Sequence, residues 1–70
     1  MDIRRGTLRS FDSTAYTASI QLAGSLATEL GGIKVARNIP SAEMVAGRSC
    51  AVLFFDPSNP GDSVVLAVYT

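Results

Sequence analysis

The apolar pattern of the last third of the chain, from Arg48 to Thr70, predicts a β-hairpin. Two short runs rich in β-branched and aromatic residues, 50–55 and 64–69, flank a segment of turn-forming residues, 56–62. Short runs bounded by such turn chemistry are typical of strands rather than helices. A strand with one solvated face alternates apolar and polar residues, and neither run alternates. Both faces of the hairpin are therefore apolar, and the core of so small a domain can cover only one of them.

The alternation of side chains along a strand divides the hairpin into two faces, although it does not say which one is core. In the first strand, Leu53 and Phe55 share a face opposite Val52 and Phe54. In the second strand, Val65, Ala67 and Tyr69 share one face, opposite Val64, Leu66 and Val68. We predict that one face contacts a second subunit through five residues: Leu53, Phe55, Val65, Ala67 and Tyr69.

Earlier positions predict three more strands. The first is Gly6–Phe11, with Ile3 as an alternative start, and strict alternation places Leu8 and Phe11 on opposite faces. The second, Tyr16–Leu22, alternates most clearly, and its inward residues are Tyr16, Ala18, Ile20 and Leu22. A turn at 12–15, with Asp12 bonded to its own backbone, joins these two strands into a hairpin.

The third strand is predicted at Ile33–Ile39. Before it, segment 23–32 fits either a single helical turn or an extended arm, and Gly31-Gly32 is expected to end it. Segment 41–44 fits a one-turn helix capped by Ser41. Five strands in one domain, residues 1–70, predict an all-β fold: a small five-stranded, OB-like β-barrel with at most one short helical turn, whose closure removes exposed edges.

Composition limits how such a barrel can be stabilised. The chain has 70 residues, one cysteine (Cys50) and no histidine. An intrachain disulfide and the common zinc ligand sets are therefore excluded, which leaves oligomerisation as the support for a marginal domain. No apolar run approaches the roughly 20 residues of a membrane span, and 1–6 lacks the apolar region of a signal peptide. We expect a soluble homo-oligomer made in a cytoplasm, without membrane contact.

Candidate chemistry is sparse. No nucleophile stands in a recognisable catalytic context and no histidine can act as a base, so no catalytic residue and no cofactor are expected. The turn between Asp56 and Asp62 is acidic at both ends, but it lacks the ligand spacing of a calcium loop, and no metal site is predicted.

Charge argues against a general nucleic-acid binder, because six basic residues balance six acidic ones and such binders normally carry a basic surplus. The basic cluster Arg4, Arg5 and Arg9 fits a solvated strand face or ion pairs with a neighbour. Arg9, Arg37 and Arg48 are the candidate polar residues of the subunit interface.

Several short motifs follow one another along nearly the whole chain. They are Gly-Thr-Leu at 6–8, Asn-Ile-Pro at 38–40, a glycine-led apolar strand from 47, and Val64, Val65 and Tyr69 in a Val-Val-x-x-x-Tyr pattern. This order resembles the small OB-type barrel at the base of contractile-phage tail spikes and related baseplate proteins. The resemblance implies a barrel that associates as a symmetric trimer and is a structural part of a virion.

The sequence thus predicts a non-enzymatic structural protein that self-assembles through an apolar strand face. The expected setting is a phage virion assembled in the host cytoplasm, as a tail, baseplate or capsid-decorating component that contacts other virion proteins. Two alternatives remain open. One is an OB-type nucleic-acid module that uses the basic residues, Lys34 and the aromatics, and the other is an adaptor barrel that docks a different protein.

Overall fold

Five strands close into a barrel in the computed structural model, which describes residues 1–23, 29–56, 58–59 and 61–70. The strands are β1 (Asp2–Asp12), β2 (Thr17–Leu22), β3 (Glu29–Val35), β4 (Ser49–Phe54) and β5 (Ser63–Tyr69). The only helical element of the described residues is a 3₁₀ turn at Ser41–Glu43. The all-β, five-stranded barrel predicted from the sequence is confirmed. No helix among these residues is long and apolar enough to cross a membrane.

The strands follow one another around the barrel in the order β1, β2, β3, β5 and β4. All neighbours are antiparallel except β3 and β5, which pair in parallel over Lys34 and Val35 alone. The barrel closes because β1 is long enough to pair twice: residues 2–7 lie along β4, and residues 6–12 lie along β2. Both predicted hairpins, β1–β2 and β4–β5, are present.

The interior of the barrel is filled by inward side chains from every strand. On β2, Ala18, Ile20 and Leu22 are buried, as the alternation predicted, whereas Tyr16, the fourth predicted inward residue, precedes the strand and is half-buried. On β4, the inward positions are those of Val52 and Phe54, which settles the face that the sequence left open. The buried apolar side chains are Leu8, Ala18, Ile20, Leu22, Ile33, Val35, Ile39, Met44, Cys50, Val52, Phe54 and Val65.

Two β-bulges correct the predicted faces of β1 and β5. A bulge inserts one residue without a partner, and every later side chain then changes face. On β1 the inserted residue is Arg9, so Leu8 and Phe11 both pack on the core rather than on opposite sides. On β5 it is Leu66, so Val65 points inward and is fully buried while Ala67 lies outside. The assignment of Val65 to the subunit interface was therefore wrong.

The third predicted strand was misplaced. The observed strand begins at Glu29, passes through Gly31-Gly32 and ends at Val35, so the glycine pair does not end the preceding segment. One β2 residue, Ser19, lies opposite both glycines, and Gly32 has a φ of +69°, which suits a residue without a Cβ. The predicted helical turn around Leu26 lies outside the described residues.

The turn after β1 and the segment after β3 meet at Tyr16. The Asp12 carboxylate accepts the Thr14 amide at 2.9 Å, as predicted for this turn. Tyr16 follows with a φ of 57°, and its hydroxyl donates to the backbone carbonyl of Ile39. Arg37 stands in that second segment, because β3 ends at Val35 and does not continue to Ile39 as predicted.

The 3₁₀ turn also differs from its prediction. Pro40 occupies the position before it, and no side chain caps the turn, so Ser41 is not the expected cap. Met44, just after the turn, is buried and holds the segment against the barrel. A turn this short depends on such packing, because it satisfies few of its own backbone groups.

Candidate self-association face

Three cross-strand rows form the outside of β1, β4 and β5, which we call the outer face. Because Gly6, Cys50, Val52 and Phe54 point into the barrel, the residues between them on the same strands point away from it. The rows, read across β1, β4 and β5, are Ile3–Leu53–Val64, Arg5–Ala51–Ala67 and Thr7–Ser49–Tyr69.

The outer face presents large apolar side chains to solvent. Ile3 is 61% exposed and Tyr69 is 45% exposed. Phe55, which directly follows β4 and is counted with the outer face from here on, is 49% exposed. Leu53 and Val64, in the row of Ile3, are half-buried by their neighbours. Single exposed apolar residues are common on soluble proteins, whereas contiguous ones mark interaction sites. The row Ile3–Leu53–Val64 is contiguous, because its members are direct cross-strand partners.

Four of the five predicted apolar interface residues lie outside the barrel: Leu53, Phe55, Ala67 and Tyr69. Sequence reasoning missed two others. Ile3 was missed because the body of the first strand was placed from Gly6 onwards, although Ile3 was considered as a start. Val64 was assigned to the opposite face because the bulge at Leu66 was not recognised. Ile3 stands two and four residues before Arg5 and Thr7, so all three share one face of a strand that begins before Gly6. This spacing could have indicated Ile3 from the sequence.

The three predicted polar interface residues do not gather on the outer face. Arg48 is engaged within the chain: its guanidinium lies 2.8 Å from the Glu43 carboxylate and also donates to the Glu43 carbonyl at 3.1 Å. The guanidinium of Arg37 lies 5.0 Å from the centre of the Tyr16 ring, in a cation–π contact. Arg9 is exposed at its bulge. Two of the three therefore have partners of their own.

On the opposite side of the barrel lie β2 and β3, and in OB-type modules the face of the second and third strands binds oligonucleotides. Neither strand contains an aromatic residue on which a base could stack. Tyr16, in the neighbouring turn, is half-buried and packs edge-on against Phe11 with ring centres 5.1 Å apart. The one lysine there, Lys34, is paired in register with Thr17, and Glu29 lies on the same strand.

Reactive and metal-binding groups are equally sparse. Cys50 is fully buried, and burial raises the pKa of its thiol above the ordinary value of 9.0, while a hydrogen bond from the Gly6 backbone lowers it to a smaller extent. The thiol therefore stays neutral and packs as a small apolar side chain. In the part of the chain that the structure describes, no group of three or more histidine, cysteine or acidic side chains could hold a metal ion.

Comparisons with known proteins leave the outer face to be interpreted from this chain alone. No family model, no curated protein and no solved structure matches the sequence or the fold. The likeness to phage baseplate barrels remains a prediction that rests on the short sequence motifs.

Proposed function

We propose that this chain is a non-enzymatic structural protein that self-assembles through the outer face, as a small component of a phage virion. The observation that supports self-assembly is the contiguous row Ile3–Leu53–Val64 outside a barrel whose interior is already filled by other side chains. The core cannot cover this row, so another molecule is its natural cover. A second copy is the simplest one.

The size of the face is adequate for association. Fully burying a large apolar side chain contributes about 1.5–3 kcal/mol, and the outer-face residues are already partly covered. Five large apolar side chains are available on each partner: Ile3, Leu53, Phe55, Val64 and Tyr69. Burial of their remaining surface on two partners therefore contributes on the order of 10 kcal/mol. Association costs about 4–15 kcal/mol in lost freedom, which is of the same order. Apolar burial can then support a complex whose affinity is adjusted by polar contacts.

The virion setting rests on the motif order and on the architecture. A closed barrel of five strands, in which β5 lies between β3 and β4, is compatible with the OB-type barrel of the phage proteins. The absence of aromatic side chains from β2 and β3 favours this structural role over the nucleic-acid module. The resemblance implies three subunits in a tail, baseplate or capsid decoration.

The test is the solution mass of Leu53→Glu beside that of the unmodified chain and of Thr17→Glu. Thr17 is the matched control because it is also half-buried and outward, but on β2. We expect light scattering over a dilution series to give an oligomer for the unmodified chain and for Thr17→Glu. Leu53→Glu should give the 7.3 kDa monomer with unchanged circular dichroism. A monomeric unmodified chain at every concentration would refute the proposal and turn attention to the adaptor alternative.

A further inference from the structure

Two exposed residues of opposite charge flank the row Ile3–Leu53–Val64: Arg5, which belongs to the outer face, and Asp62, which precedes β5 and is placed on the outer side by alternation with the buried Ser63. Arg5 stands in the row next to Leu53 on one side. Asp62 stands on the other side, where its carbonyl accepts the amide of Phe55 at 3.0 Å. At about 3.3 Å per residue, the two charged positions are about 13 Å apart along the strands, with the row of Leu53 midway. Both side chains are exposed.

Neither charge is neutralised by another of the residues that the structure describes. Among the described residues, the single ion pair within 4 Å joins Arg48 to Glu43 and involves neither Arg5 nor Asp62. The row neighbours of Arg5 are Ala51 and Ala67, whose short side chains leave the guanidinium uncovered on that side. Burying an unpaired charge is unfavourable. A partner for the outer face must therefore bring an acid to Arg5 and a base to Asp62.

A second copy of this chain has both groups at the required positions. We infer that two copies pack outer face to outer face about a twofold axis, so that Arg5 of each copy pairs with Asp62 of the other. The inference rests on the proposed function, since it specifies the partner and geometry of the same face. The axis lies in the contact plane, passes over Leu53 and is perpendicular to the line from Arg5 to Asp62.

This geometry agrees with known ways of packing sheets. Arg5 is on β1 and Asp62 precedes β5, so the two charges lie on either side of β4 and their exchange is diagonal. The strands of the two copies then cross at a steep angle, close to the orthogonal class of sheet packing. The contact is isologous, because the same patch is used twice. This twofold dimer differs from the trimer that the phage resemblance implies, because a ring of three subunits cannot be closed by twofold contacts alone.

The experiment uses charge reversal and mixing. Arg5→Asp and Asp62→Arg are purified separately, and each should be largely monomeric at low salt, because its homodimer opposes like charges at both of the proposed charge contacts. We expect the dissociation constant of each to rise by about tenfold or more, the usual effect of disrupting a close charge pair. Mixed in equal amounts, the two variants should form a heterodimer of twice the chain mass, since both charge pairs are then restored with reversed sign.

Arg4→Asp is the matched control. Arg4 is the neighbouring exposed base on β1, but it is paired in register with the inward Val52 and is not on the outer face. Arg4→Asp alone should associate as the unmodified chain does. When it is mixed with Asp62→Arg, the only dimer that forms should be the Arg4→Asp homodimer, and no heterodimer should appear. Native mass spectrometry separates the homodimers from the heterodimer.

Two results would overturn the inference. One is single variants that associate like the unmodified chain, and the other is a mixture that stays monomeric. A closed ring with an odd number of copies would give a different pattern, in which the double variant Arg5→Asp/Asp62→Arg assembles and the mixture of single variants does not. That pattern would replace the twofold pair by such a ring. A monomeric unmodified chain instead refutes self-association itself, so failure of the inference and failure of the proposed function are distinct.

Discussion

Gly6 occupies the point where β1 pairs with both of its neighbours. It lies opposite Leu22 on one side and Cys50 on the other, and it is buried. A Cβ at this position would lie 2.5 Å from Cγ2 of Ile20 and 3.0 Å from the carbonyl oxygen of Gln21. The glycine of the Gly-Thr-Leu motif, which the sequence analysis used only for the family resemblance, has a steric reason here, because only glycine allows the strands to approach so closely.

Replacing Gly6 by alanine should therefore destabilise the barrel. The new methyl group forces Ile20 or the β2 backbone to move, and overpacking of this kind costs about 1–3 kcal/mol. Chemical denaturation of Gly6→Ala and Gly31→Ala measures the effect. At Gly31 the nearest atom to an added Cβ is 3.7 Å away, so that control should change stability little. Equal losses in both variants would show that the contact at Gly6 relaxes freely.

At the scale of the strand, alternation predicted faces correctly wherever the pairing is regular. It placed Ala18, Ile20 and Leu22 inside because β2 has no inserted residue. It failed for Phe11 and Val65 because Arg9 and Leu66 are inserted residues. A residue counts as inserted only when the partner strand has one residue fewer over the same stretch. A bulge is therefore a property of two paired strands and cannot be recognised in the sequence of one of them.

The bulge at Leu66 gives Val65 and Leu53 opposite roles, which charged substitutions should separate. Val65→Lys places an ammonium group in the filled interior, at a cost of several kcal/mol. A domain of this size has about 4–10 kcal/mol of stability in total, so the variant should be largely unfolded. Leu53→Glu should remain folded and lose only association. Circular dichroism at one concentration distinguishes the two. A folded Val65→Lys variant would contradict the inward placement of Val65.

At the scale of the molecule, local signals predicted the two hairpins and the barrel class. Turn residues between short apolar runs are sufficient for a hairpin, because the strands that pair are neighbours in sequence. The closing contacts, β1 with β4 and β3 with β5, join distant segments and leave no local mark. The same limit applies to the outer face: Leu53, Phe55 and Tyr69 were identified within one hairpin, whereas Ile3 joins them only through β1.

Self-association of the whole molecule should also appear in its thermal stability. A complex that forms only from folded chains stabilises them by mass action, so the unfolding midpoint should rise with protein concentration. For a domain of this size the rise should be about a few degrees for each tenfold increase. Leu53→Glu should show a midpoint independent of concentration. A midpoint of the unmodified chain that does not change over the same range would contradict association in solution.

The double pairing of β1 also determines when the barrel can form. Asp2 lies opposite Phe54, so β1 cannot complete its pairing until β4, more than forty residues further along the chain, has been synthesised. Contacts between such distant segments make folding slow compared with domains built from local contacts. Until then Ile3 has no β4 beside it, and the earlier β1–β2 hairpin is only marginally stable in water. The barrel can thus close only after all five strands have been synthesised, because β4 and β5 supply the partners that β1 and β3 otherwise lack.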